Sequence, residues 1–218
     1  MHKNVILVGG EKGGTGKTTL ATNLAIIRAR AGRDVVIVDT DPQGSASRWK
    51  ERRDEEGVNP PVHVNQFFGK AVRSGIDDVA RRYQDVIVDA GGKDSEELGI
   101  AMTRARMILI PIQASQADLE TLDHMAFLVA NARTVNEHLK AVVVVSRAPT
   151  NPSMTDTGDA QEYISEIEEL ELSISVIRDR TAYRRAFRDG VGITEYLPRD
   201  EKGILELSQL FKEVYGNE

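Results

Sequence analysis

Val5-Ile6-Leu7-Val8-Gly9-Gly10-Glu11-Lys12-Gly13-Gly14-Thr15-Gly16-Lys17-Thr18-Thr19 is the stretch that decides the fold. Its apolar opening, with β-branched Val5, Ile6 and Val8, reads as a buried strand; the glycines read as a loop, and the residues from Lys17 as the first turn of a helix. Glycines let backbone N–H groups converge on phosphate oxygens, and a helix start adds the positive end of its dipole. In such a loop Lys17 supplies a point charge to the β/γ-phosphates and the Thr18 hydroxyl a ligand for Mg2+. The strict spacing G-x-x-x-x-G-K-[ST] is not met, because its first glycine falls on Glu11. What stands instead is Lys12-Gly13-Gly14-Thr15-Gly16-Lys17-Thr18, with a second lysine at the front.

Outward from this loop, short β-branched runs alternate with helix-period segments, the pattern of a parallel sheet with crossover helices. Strands are expected at 5–8, 35–38, 62–65, 86–88, 107–110, 141–145 and 174–177. Most are continuously apolar, as strands covered on both faces should be. Helices are expected at 18–31, stopped by Gly32, and at 118–136, with Leu119, Leu122, Ala126 and Val129 on one stripe. A last helix from Gly203 carries Ile204, Leu207, Leu210, Phe211 and Val214 at helical spacing. The irregular stretch 148–158, with Pro149 and Pro152, interrupts no domain. The expected fold is α/β: a doubly wound, mostly parallel sheet flanked by helices, with residues 1–218 forming one domain.

The chain has 218 residues, 28 Lys+Arg against 34 Asp+Glu, a formal net charge of −6 and no cysteine. That length fits one large domain at ~100–200 residues per domain. The missing cysteines exclude a disulfide framework, a thiolate zinc site, a thiol nucleophile and a Cys-ligated cluster. No apolar run approaches the ~20 residues that span a bilayer, and the start of the chain reads as a first strand rather than a signal peptide.

The doubled lysine resembles the deviant Walker A motif of the ParA/MinD ATPases. Val38-Asp39-Thr40-Asp41-Pro42-Gln43 resembles the family's D-x-D-P-Q element, Val86-Ile87-Val88-Asp89 its Walker B strand, and Pro111 to Asp118 (PIQASQAD) the segment that follows. The short N-terminus, Gln43 and Trp49 make the chain most similar to small plasmid-partition ParA proteins without a DNA-binding N-terminal domain. The resemblance implies a P-loop ATPase that uses ATP and Mg2+. ATP would contact Glu11, Lys12, Gly13, Gly14, Thr15, Gly16, Lys17, Thr18 and Thr19, with Arg147 and Pro149 where the family holds adenine. Lys12 would reach across an ATP-bound homodimer to the partner's nucleotide, so that Lys12, Lys17 and Asp41 form the catalytic set. Thr18, Asp41 and Asp89 would hold Mg2+. For Asp39 and Asp41, capping a helix or opening a turn is the competing reading, and for Asp89 a turn-forming acid before Gly91-Gly92. Glu11 departs from the family, which carries a neutral residue there; an acid beside phosphates requires its side chain to point away. Gly91 and Gly92 read equally as a γ-phosphate approach and as a plain turn.

Charge is segregated in the last third. Acidic residues crowd 153–171 without a base, whereas Arg178, Arg180, Arg184, Arg185 and Arg188 cluster against one acid, Asp179. With Arg184 and Arg188 four apart and Arg180 one turn earlier, such a stripe would touch DNA phosphates weakly and in a salt-sensitive way. The resemblance adds non-specific nucleoid binding by the ATP dimer, an adaptor protein that stimulates hydrolysis, and a cytoplasmic, nucleoid-associated location. Plasmid or chromosome partition is the first reading of the cargo. Alternatives are a protein cargo, such as a carboxysome or a chemoreceptor cluster, and a MinD-like membrane cycle, which the acidic tail disfavours.

Overall fold

The computed structural model describes residues 2–92, 95–150 and 162–216. Seven strands form a single sheet: β1 (Val5–Val8), β2 (Val35–Asp39), β3 (His63–Gln66), β4 (Asp85–Asp89), β5 (Met107–Ile112), β6 (Lys140–Ala148) and β7 (Glu171–Arg178). Their order is β3-β2-β4-β1-β5-β6-β7, and every pairing is parallel. The helices are α1 (Lys17–Arg30), α2 (Ser45–Glu55), α3 (Ala71–Arg82), α4 (Glu96–Met102), α5 (Gln116–Leu119), α6 (Leu122–Arg133), α7 (Thr181–Arg188) and α8 (Glu201–Tyr215).

The apolar strands explain the two-sided covering. β1, β2, β4 and β5 are buried along their whole length, because alternate residues face two separate cores. One core packs Val5, Leu7, Val36 and Val88 against α3, α4 and α6 through Ile76, Met102 and Met125. The other packs Ile6, Val8, Ile37 and Leu109 against α1, α2, α7 and α8 through Leu24, Trp49, Tyr183 and Leu210. The outer strands differ, as edge position dictates: β3 is half-exposed, and β7 alternates, leaving Ile174 88% exposed.

Several expected bounds move. α1 stops where Gly32 adopts φ +78°, as expected for a left-handed stop. The helix expected over 118–136 is instead two pieces, α5 and α6, because Ser115 caps a short first turn and the chain restarts at Leu122. β6 runs to Ala148 and β7 starts at Glu171, both longer than their apolar centres. Most of the irregular stretch 148–158, with acidic Asp156, lies outside the described residues. The last helix packs as expected, burying Leu207, Leu210 and Val214, with Asp200 capping its N-terminus.

In an all-parallel sheet every strand ends at the same edge, and ligands of open α/β sheets bind in the crevice there. The loop after β1, the Asp39–Asp41 turn after β2, Asp89 of β4 and Arg147 of β6 are all delivered to that edge.

Candidate functional site

The loop between β1 and α1 is built by its glycines. Gly14 (φ +76°) and Gly16 (φ +96°) take conformations that disfavour a Cβ, and a Cβ on Gly16 would lie 3.1 Å from Ser146 Oγ. Gly16 is the residue from which α1 departs, so the helix N-terminus opens directly onto the loop. Arg147 closes the far side. Held at φ +54°, it donates from Nη1 to the Gly14 carbonyl at 2.7 Å and lies 3.6 Å from Asp179. Beside it, Gly16, Thr19, Ser146, Arg147, Asp179 and Arg184 line a cavity of about 50 Å³. Pro149 follows directly after β6.

Lys17 is buried, and its ammonium donates to the Lys12 carbonyl. Burial pulls its pKa down, against the raising fields of Asp89, Asp41 and Asp118. Three carboxylates therefore face the phosphate-loop lysine from three different segments. Lys12, at the front of the loop, sits 3.7 Å from Asp118 Oδ2.

The acids divide by role. Asp39 is fully buried and accepts from the Asp41 amide, the Ser47 amide and the Ser47 hydroxyl at 3.2, 3.1 and 2.9 Å. It braces the turn into α2, so the capping reading holds for Asp39. Asp41 is half-exposed and lies against Gly91, whose Cβ would be 3.5 Å from the Asp41 carboxyl carbon. The glycine pair after β4 thus makes room for neighbours: a Cβ on Gly92 would come within 2.9 Å of the Glu11 carbonyl oxygen. Asp89 is paired in register with Asp39 and is 1% exposed, with the Thr18 hydroxyl near its carboxylate. Burial raises its pKa to about 7; the Thr18 hydroxyl and Lys17 work against that shift, and Asp39 and Asp41 add to it.

The donor set fits Mg2+. Asp89 Oδ2 is buried without a hydrogen-bond partner, beside the Thr18 hydroxyl and near Asp41. These are hard oxygen donors crowded by like charge, an arrangement a divalent cation relieves. Among the described residues no three His, Cys, Asp or Glu side chains form a ready-made metal cage. Mg2+ on a nucleotide needs none, since it takes one or two carboxylates plus phosphate oxygens and water.

Glu11 does point away from the cradle: its carboxylate pairs with His124 of α6, whose ring stacks on Phe127 at 6.2 Å. No motif or spacing points to His124. Asp118, the last residue of the 111–118 segment, is 3% exposed, and its Oδ1 has no hydrogen-bond partner.

The arginine cluster is less uniform than its spacing suggests. Arg178 and Arg180 both donate to Glu206, at 3.0 and 2.6 Å, and Arg180 precedes α7 instead of forming a turn of it. Arg184 pairs with Asp179 at 2.6 Å and Arg188 with Asp189 at 2.8 Å, both on the surface. Arg185 lines a different surface cavity with Arg199 and Lys202.

The CobQ/CobB/MinD/ParA nucleotide binding domain family matches residues 6–193. The chain is 30% identical over 213 residues to the maintenance of carboxysome distribution protein A of Halothiobacillus neapolitanus, covering 96% of this chain and 95% of that protein. It is 26% identical over 191 residues to Protein ParA of Rhizobium radiobacter, covering 85% and 83%. The ATP complex of McdA from Cyanothece superposes with a TM-score of 0.78 at 16% identity over 100% of this chain and 98% of that one, which shows a shared fold. With the doubled-lysine loop, the buried Asp89 and the parallel sheet in place, the chain belongs to the CobQ/CobB/MinD/ParA nucleotide-binding family of P-loop ATPases.

Proposed function

We propose that residues 1–218 form one ATPase domain that positions a large protein assembly in the cytoplasm, using the nucleoid as its track. The observation that carries this reading is the near-full-length similarity to a carboxysome distribution protein. It favours the protein cargo, the alternative in the sequence reading, over plasmid partition. Partition is the second reading, supported by the similarity to ParA.

In the cycle we infer, the loop from Glu11 to Thr19 and Lys17 hold the phosphates, and Thr18, Asp41 and Asp89 hold Mg2+. Arg147 and Pro149 border the adenine. Asp41, the half-exposed acid of the site, orients the attacking water. ATP joins two subunits, and Lys12 exchanges its own chain's Asp118 for the partner's nucleotide. The dimer binds DNA without sequence preference through exposed arginines, of which Arg184, Arg185 and Arg188 are better placed than Arg178 and Arg180. An adaptor protein on the cargo stimulates hydrolysis and release.

The test is Lys12→Ala. Light scattering behind size exclusion should show wild type as a dimer in ATP and a monomer in ADP, with DNA retained only in ATP. Lys12→Ala should stay monomeric in both nucleotides while still binding them. Dimerisation of Lys12→Ala in ATP at the wild-type level would sink the deviant-loop reading.

A further inference from the structure

A cavity of about 520 Å³ opens between the last turns of α1, the segment 194–199 and one side of α8. Ile27, Ile204 and Phe211 form its floor, packed against the core beneath α1. Arg30, Arg199 and Lys212 stand around it, and among the described residues no carboxylate lines it. The volume falls within the ~300–1,000 Å³ of small-molecule sites, which pair an apolar lining with a few polar anchors. Arg30 is fixed by a 2.9 Å hydrogen bond from Nη1 to the Thr194 carbonyl. Arg199 pairs through Nε with Glu201 at 3.0 Å, a contact between two exposed side chains that contributes little. Lys212 makes no ion pair among the described residues.

Three cations around an apolar floor select for two properties at once. A bare anion gains little from exposed ammonium and guanidinium groups in water, and a neutral hydrocarbon makes no use of the three cations. A molecule with an apolar body and one anionic end satisfies both. We propose that this cavity binds a small amphipathic anion, with a hydrocarbon or aromatic body on Ile27, Ile204 and Phe211 and a carboxylate, sulfonate or phosphate against Arg199 and Lys212. The site lies at the opposite end of α1 from Lys17, about 20 Å along a helix rising ~1.5 Å per residue, so it is separate from the nucleotide loop. The inference does not depend on which cargo the ATPase positions.

The test uses the full chain with excess Mg-ATP, so that the nucleotide loop is occupied, and titrates 8-anilinonaphthalene-1-sulfonate by fluorescence. One saturable site per chain is expected, with decanoate displacing the probe and decanol displacing it far less well. Ser208 lines the cavity from α8, and its hydroxyl only donates to the Ile204 carbonyl. Ser208→Trp should therefore fill the space and remove the site without changing the melting temperature. Arg199→Gln with Lys212→Gln alters surface charge alone and should weaken the probe about tenfold, the scale of two exposed charge pairs. Wild-type probe affinity in a folded Ser208→Trp would overturn the proposal. So would an affinity in the double charge variant within about twofold of wild type, or equal displacement by decanol and decanoate.

Discussion

Replacing Glu206 by Gln should destabilise the whole C-terminal half of the sheet, and the size of the effect follows from its partners. Glu206 is 7% exposed on α8 and accepts from the Arg178 amide at 3.2 Å and Arg178 Nη1 at 3.0 Å. It also accepts from Arg180 Nε at 3.1 Å and Nη2 at 2.6 Å. This one carboxylate therefore joins α8 to the end of β7 and to the residue that precedes α7. Removing one partner of a buried ion pair costs ~3–5 kcal/mol, because the other charge is left uncompensated. Gln keeps one acceptor oxygen, and Arg178 is partly solvated, so a loss of about 2–3 kcal/mol is the better figure. For a chain of this size each kcal/mol moves the melting temperature by ~2–4 °C, which puts Glu206→Gln about 4–12 °C below wild type at pH 7. Acid should close the gap. Burial alone would raise the Glu206 pKa, but hydrogen bonds from Arg180 and from the Arg178 backbone and side chain outweigh it and hold the group below 4.5. A depressed folded pKa means that the stabilisation is present above the unfolded value and is lost as pH falls through the folded one. Calorimetric scans of both proteins from pH 7 down to about pH 2, through the window in which a depressed carboxylate is protonated, check this. A difference under about 1 °C at pH 7, or a gap that widens in acid, would refute the reasoning.

Two further substitutions probe the nucleotide edge. Gly16→Ala forces a Cβ into φ +96° and against Ser146 Oγ at 3.1 Å, so it should cost ~1–2 kcal/mol from the left-handed backbone alone and displace the start of α1. Nucleotide titration and melting should both register it, and unchanged nucleotide affinity would count against the loop geometry. Asp89→Asn removes a buried carboxylate whose pKa burial, Asp39 and Asp41 raise to about 7, so above that pH the metal-free protein should melt higher than wild type. The same variant should lose Mg2+-dependent turnover while still binding nucleotide, as a malachite-green phosphate assay alongside a binding titration would show.

The parts of this protein that could be read from sequence are those whose partners lie close in the chain or whose pattern repeats. Gly9 to Thr19 is one contiguous segment, so its loop, its helix start and its lysines could be placed without the fold. Continuous apolar runs announced β1, β2, β4 and β5 because burial on both faces leaves no polar position to obscure them. Asp39 and Asp41 were harder. Both are acids at the end of one strand, and only the position of Ser47, whose amide and hydroxyl bind Asp39, separates the structural acid from the half-exposed one. The C-terminal arginines were the hardest, because spacing along a helix says nothing about what arrives from 26 or 28 residues away. Glu206 sits among apolar residues of α8, and it neutralises Arg178 and Arg180 together. Arg53 makes the same point across a greater span: it is fully buried, with its guanidinium on Glu195, 142 residues later. A cluster of charge in sequence is thus a statement about composition until the fold assigns each member a counter-charge. Here that assignment removes two of the five arginines from the surface available to DNA. A DNA-retention defect in an Arg178 or Arg180 variant would report lost stability first, whereas the same defect in an Arg185 variant would report contact.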